Sequence, residues 1–171
     1  RSPSMSVNRH PVRVRMRNDT VLTGQVHVPE GEPLSVFLSR KLHFLNLTEV
    51  RWSGSLADEV LPHLSVRLRE ILWVEPQDSR LHVTSAAFPS DETRDVELQI
   101  RRADGWHQLR TKLNVSSETR MSDYLEANPG FIPLSSVRVA GSQEVMERVA
   151  LNHEAITAIR ELETSDPLRR S

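Results

Sequence analysis

The chain has 171 residues with 37% hydrophobic, 26% charged and 5% aromatic content, the composition of one or two soluble globular domains. Its 22 basic and 23 acidic residues leave a net charge of -1, too even for a surface given over as a whole to nucleic acid or anionic lipid. With no cysteine, disulfide frameworks, cysteine-ligated zinc, iron–sulfur ligation and thiol nucleophiles are excluded together.

No apolar run approaches the roughly 18 to 20 residues of a membrane span, and Arg1 to His10 lack the apolar stretch of a signal peptide. A cytoplasmic protein without membrane insertion is expected. Met5 is read as the natural start, with the four residues before it set aside.

In chain order, Val12, Val14 and Met16 alternate with Arg13, Arg15 and Arg17, the pattern of a half-buried strand. Asn18-Asp19 supplies a turn, and Leu22, Gly24, Val26 and Val28 line a second strand, completing a hairpin. Leu34, Phe37 and Leu38 at i, i+3 and i+4 predict a short helix with an apolar core face. Strands at 48–52, 64–69 and 71–75 follow. Residues 76–95 hold Pro76, Pro89, several Ser/Thr and mixed charges, so they read as a linker with a short strand at Leu81-His82-Val83. The same succession then recurs. Strands at 96–101 and 109–115 flank the turn Ala103-Asp104-Gly105. A helix on Met121, Tyr124 and Leu125, capped by Ser117 or Thr119, stops at Asn128-Pro129-Gly130, and strands at 136–140, 145–151 and 156–161 complete the series.

An internal duplication organises the whole reading. Residues 34–54 align without gaps on residues 121–141, with identical pairs Ser35/Ser122, Leu38/Leu125, Phe44/Phe131, Leu47/Leu134, Val50/Val137, Arg51/Arg138 and Gly54/Gly141. Leu34/Met121, Phe37/Tyr124 and Leu45/Ile132 keep their apolar character. The chain therefore divides into a first repeat at 5–79, a linker at 80–94 and a second repeat at 95–165.

The expected fold class is mainly β with short helices. Each repeat forms a small five-stranded β-barrel with a helix inserted between strands 2 and 3, and the two are related by a pseudo-twofold axis. Val149-Ala-Leu-Asn-His-Glu-Ala-Ile-Thr-Ala-Ile159 resembles the second motif of bacterial Sm-like proteins of the Hfq type, and Arg17-Asn-Asp-Thr-Val-Leu-Thr-Gly-Gln25 is similar to part of their first. The helix-plus-Phe-x-x-Leu pattern also resembles an uncharacterised bacterial domain family. The Sm-like resemblance implies a small barrel and RNA binding. The base-contacting histidine of that family falls on Glu154, with His153 one position early, so the RNA contact is not carried over.

Little else bears chemistry. The seven histidines, at 10, 27, 43, 63, 82, 107 and 153, show no i, i+4 pair for a metal. Ser35 and Ser122 sit in no Gly-x-Ser-x-Gly elbow and read as helix N-caps, and no glycine-rich phosphate loop occurs. No catalytic group, metal or cofactor is expected. The remaining candidate is a cationic stripe of Arg13, Arg15, Arg17, Arg51, Arg67 and Arg69 in the first repeat, suited to phosphate or an acidic protein. Residues 1–85 carry 11 basic and 9 acidic side chains, and residues 86–171 carry 11 and 14, so the two repeats differ in surface charge. The functional expectation is a non-catalytic module that binds a protein partner or self-associates, with RNA binding through the arginine face as the alternative.

Overall fold

A computed structural model of the chain describes residues 7–52, 59–84 and 92–162. Met5, Gly54 and the linker residues 85–91 lie outside the described residues. The first half runs β1 (Val7–Met16), β2 (Val21–Pro29), α1 (Leu34–Ser39), β3 (Phe44–Trp52), β4 (Leu61–Arg67), a 3-10 turn at Leu68–Glu70 and β5 (Ile71–Pro76). The second runs β6 (Thr93–Arg102), β7 (Gly105–Asn114), α2 (Met121–Ala127), β8 (Phe131–Val139), β9 (Val145–Asn152), a 3-10 turn at His153–Ala155 and β10 (Ile156–Glu161). The succession of elements is the same in both.

The strands form one open antiparallel sheet in the order β10-β6-β7-β8-β9-β5-β1-β2-β3-β4. The two separately closed five-stranded barrels expected from the sequence are not seen in the strand pairing. Within each half the order is 5-1-2-3-4, and the strand that would close the first set on itself, β5, pairs instead with β9 of the other half. Edge strands gain main-chain hydrogen bonds wherever a partner of matching direction is available, and β9 supplies one.

Each half of the sheet nevertheless curls around its own core. Val12 and Val14 of β1, Leu22 and Val26 of β2, Leu45 and Leu47 of β3, Val66 of β4 and Ile71 and Val74 of β5 share one buried cluster with Leu34, Phe37 and Leu38 of α1. Side chains from β4 and β5 lie at opposite ends of that five-strand set and meet in one core only if the sheet between them bends round. Val96, Leu98, Ile100, Leu109, Leu134, Val137, Val149 and Leu151 form the second cluster.

The bending has a local cause at matching places. Glu49 in β3 and Ser136 in β8 both have positive φ, 51° and 52°, and the β2–β3 and β7–β8 registers slip beside them, at Thr23/Gln25 and Arg110/Lys112. Such bulges kink a strand and increase its twist. A Cβ on Gly24 would stand 3.2 Å from the Thr48 carbonyl and from Val50, so glycine lets β2 approach the kink closely. In the second half Thr111 uses its hydroxyl there, donating to the Ser135 carbonyl at 2.8 Å.

Three local expectations are corrected. Residues 81–83 are not a strand: the carbonyls of His82 and Val83 accept the Leu34 and Ser35 N–H groups, capping α1 from outside. That is why Ser35 is not an N-cap. Pro33 holds that position without a side-chain bond, and the Ser35 hydroxyl donates to the Val83 carbonyl at 2.6 Å. Ser122 lies inside α2, whose N-cap is Arg120, and neither Ser117 nor Thr119 caps it. Leu81 and Val83 are also buried in the first core, and β6 starts at Thr93.

Candidate interaction surfaces

The six arginines are distributed over β1 and the turn after it, β3, β4 and the first 3-10 turn. Arg13, Thr23 and Arg51 are register neighbours across β1, β2 and β3, which places Arg51 two strands from β1 on the exposed side. Arg13 contacts the carboxylates of Glu75, 3.4 Å away, and Glu144, while Arg15 donates to Asp19 at 2.9 Å and lies 5.8 Å from the Trp73 ring. Arg17 is anchored by a 2.6 Å bond from Nε to the Arg69 carbonyl. Arg67 is exposed and stacks over Phe44 at 4.5 Å, and Arg69 stands in the 3-10 turn that follows.

Two groups result. Arg13 and Arg15 border a cavity of about 130 Å³ with Trp73, Glu144, Met146 and Arg102. Burial and the charge of Arg15 hold Arg102 below the ordinary arginine range, while burial raises Glu75 despite Arg13 beside it. Arg67 and Arg69 border a more open cavity of about 450 Å³ with Lys41, His43, Asn152 and Glu154. Among the described residues no three His, Asp or Glu side chains group as a metal site.

Both cavities flank the junction between the halves, where the chain has invested its most specific contacts. β5 and β9 pair through Trp73 opposite Leu151 and Val74 opposite Ala150. Side chains are exchanged across it: Phe131 and Ala150 belong to the first core, and Leu72 and Trp73 to the second. Asn152 is 5% exposed and donates from Nδ2 to the carbonyls of Leu68 and Ile71 at 3.2 and 2.9 Å, while its Oδ1 caps the Glu154 N–H at 3.1 Å. The Phe131 N–H donates to the Ser39 hydroxyl at 2.9 Å, in a contact so close that a Cβ on Gly130 would fall 2.9 Å from the Ser39 Cα. Arg148 of β9 reaches back to the carbonyls of Leu81 and Asp78 at 2.6 and 2.9 Å.

Sequence reasoning passed over Asn152, Ser39, Arg102 and Arg148. One signal was available: a lone amide ending the apolar run Val149-Ala-Leu is costly to bury unless it is hydrogen-bonded.

Among the described residues the sheet ends in two unpaired edges, β4 and β10. Near β4, Leu42 is 86% exposed, Phe44 44% and Val60 41%. Along β10 runs an apolar groove of about 440 Å³ bordered by Leu125, Glu126, Pro129, His153, Ile156 and Ile159. No helix among the described residues is long and apolar enough to cross a membrane. Compared with known protein families, curated proteins and solved structures, the chain matches none.

Proposed function

We propose that the chain is a non-catalytic interaction module that self-associates through the two sheet edges its paired halves leave open. In this reading the halves descend from one duplicated unit and each behaves as a small Sm-like barrel whose fifth strand is completed from outside. The observation that carries the proposal is the contrast between β5, which pairs with β9 and whose first four residues are buried, and β10, whose residues are all exposed or only half-buried. An open edge with apolar side chains beside it favours pairing with another strand. Sedimentation velocity on the purified chain tests this: a sedimentation coefficient that rises with concentration is expected, and a monomer at every concentration refutes it.

A second reading, RNA binding, draws support from the cluster of Lys41, His43, Arg67 and Arg69 around a single cavity. It requires affinity that falls steeply with salt, because each phosphate contact releases counterions. No retardation of RNA at low salt would dispose of it. Self-association is the stronger reading, because Arg13, Arg15 and Arg17 of the expected stripe are already engaged by groups of the same chain.

A further inference from the structure

We infer that the β4 edge of one copy docks against β10 of the next in the register of the internal β5–β9 junction, with Ser65 opposite Ile159 and Val66 opposite Ala158. This deepens the self-association reading and rests on it.

The correspondence follows from strand registers. Leu45 opposite Val66 in the first half matches Ile132 opposite Leu151 in the second, so Ser65, Val66 and Arg67 occupy the places of Ala150, Leu151 and Asn152. Ile71 and Ile156 each directly follow a 3-10 turn, so Ala158 and Ile159 occupy the places of Trp73 and Val74. The internal junction joins a β4-type strand to a β5-type strand, namely β9 to β5. Among the described residues, what remains unpaired is the outer edge of one strand of each type, β4 and β10. The two leftover edges are thus the two sides of a junction the chain already makes once.

The surfaces fit that occupant. At the internal junction Phe131 is 7% exposed, buried in the first core beside Leu38 and Ile71, whereas its counterpart Phe44 is 44% exposed. The groove along β10 offers Leu125 and Ile156, the counterparts of Leu38 and Ile71, to receive it. Charge agrees as well. Arg69 and Glu154 border one cavity at the internal junction, and the second junction would bring the same two types together with their sides exchanged. Glu126 stands where Ser39 stands internally, facing the position that Arg67 takes from Asn152. Arg160, a cation on β10, is held by Glu97 at 3.2 Å. Because the contact joins different surfaces of identical chains, it propagates head to tail and ends in a closed ring or a filament.

The chain has no cysteine, so introduced thiols are unambiguous. Directly opposed Cβ atoms in an antiparallel pair lie about 4.5 to 5.5 Å apart, within reach of a disulfide after small adjustment. An equimolar mixture of S65C and I159C chains is oxidised and run without reductant. Covalent dimers are expected from this pair and not from S65C with I156C, which the register holds three residues apart. A second pair of variants, at exposed positions, guards against misfolding: R67E and E126K should each weaken self-association about tenfold, and mixing them should restore it. Concentration-dependent sedimentation without the S65C–I159C disulfide and without charge rescue overturns this register while leaving self-association standing. A chain that stays monomeric overturns both.

Discussion

Replacing Asn152 by alanine removes three hydrogen bonds at the point where the halves meet. Its amide donates to two carbonyls of the first half and its oxygen caps the 3-10 turn of the second. An N-cap of this kind is worth about 1 kcal/mol, and each buried bond to a carbonyl about 1 kcal/mol, so N152A should cost about 3 kcal/mol. That is roughly two factors of ten in the folding equilibrium. In urea, with a slope of about 2 to 3 kcal/mol/M, the midpoint should fall by about 1 to 1.5 M. The companion variant N152D keeps the cap and turns a carboxylate toward both carbonyls. Its folded-state pKa is therefore raised, and it should be destabilised more at neutral pH than in acid, relative to wild type at each pH. Urea transitions followed by tryptophan fluorescence read both effects, since Trp73 is buried at the junction. A loss below about 1 kcal/mol for N152A, or equal losses for N152D at both pH values, would refute the assignment of Asn152 as a fastener between the halves.

Gly130 tolerates no Cβ beside Ser39, so G130A should lower stability by about 1 to 3 kcal/mol, with S39G restoring part of it, as thermal melts can show. Tyr124 is the sole tyrosine, and burial pushes its phenol up to about 12; the tyrosinate absorbance of the native chain should appear well above the ordinary value of 10.0 and move back to it on unfolding. Burial alone would raise Asp78, but hydrogen bonds from the His10 ring and the Leu81 N–H bring it below its ordinary value of 3.8. The stabilisation this carboxylate provides is full above that ordinary value and is lost as pH falls through the lower folded one, so D78N should flatten the acid limb of the stability profile.

Much of the fold was legible because period-two alternation fixes strands locally. Val12, Val14 and Met16 against Arg13, Arg15 and Arg17 required nothing beyond the chain itself, and the helices announced themselves through Leu34, Phe37, Leu38 and their counterparts. Strand pairing across the molecule was less accessible. The apolar run at Ile71–Val74 signals burial but does not say which strand lies beside it, and closing each five-stranded set on itself and splicing the two sets both satisfy that pattern. For the arginines, alternation placed Arg13 and Arg15 on one face, yet their partners Glu144 and Asp19 come from loops whose approach no periodicity encodes. The cap expected at Ser35 failed for a related reason: carbonyls of 82 and 83, distant in sequence, accept the N–H groups at the start of α1.

The exchange of Phe131 and Ala150 for Leu72 and Trp73 also sets an order of events during synthesis. At about 5 to 20 residues per second, β5 leaves the ribosome several seconds before β9 exists to cover it. Through that interval the nascent first half shows a bare strand with Trp73 unshielded, alongside its own β4 edge. Until β9 arrives, the outer edge of β5 is open to pairing with a strand of another chain.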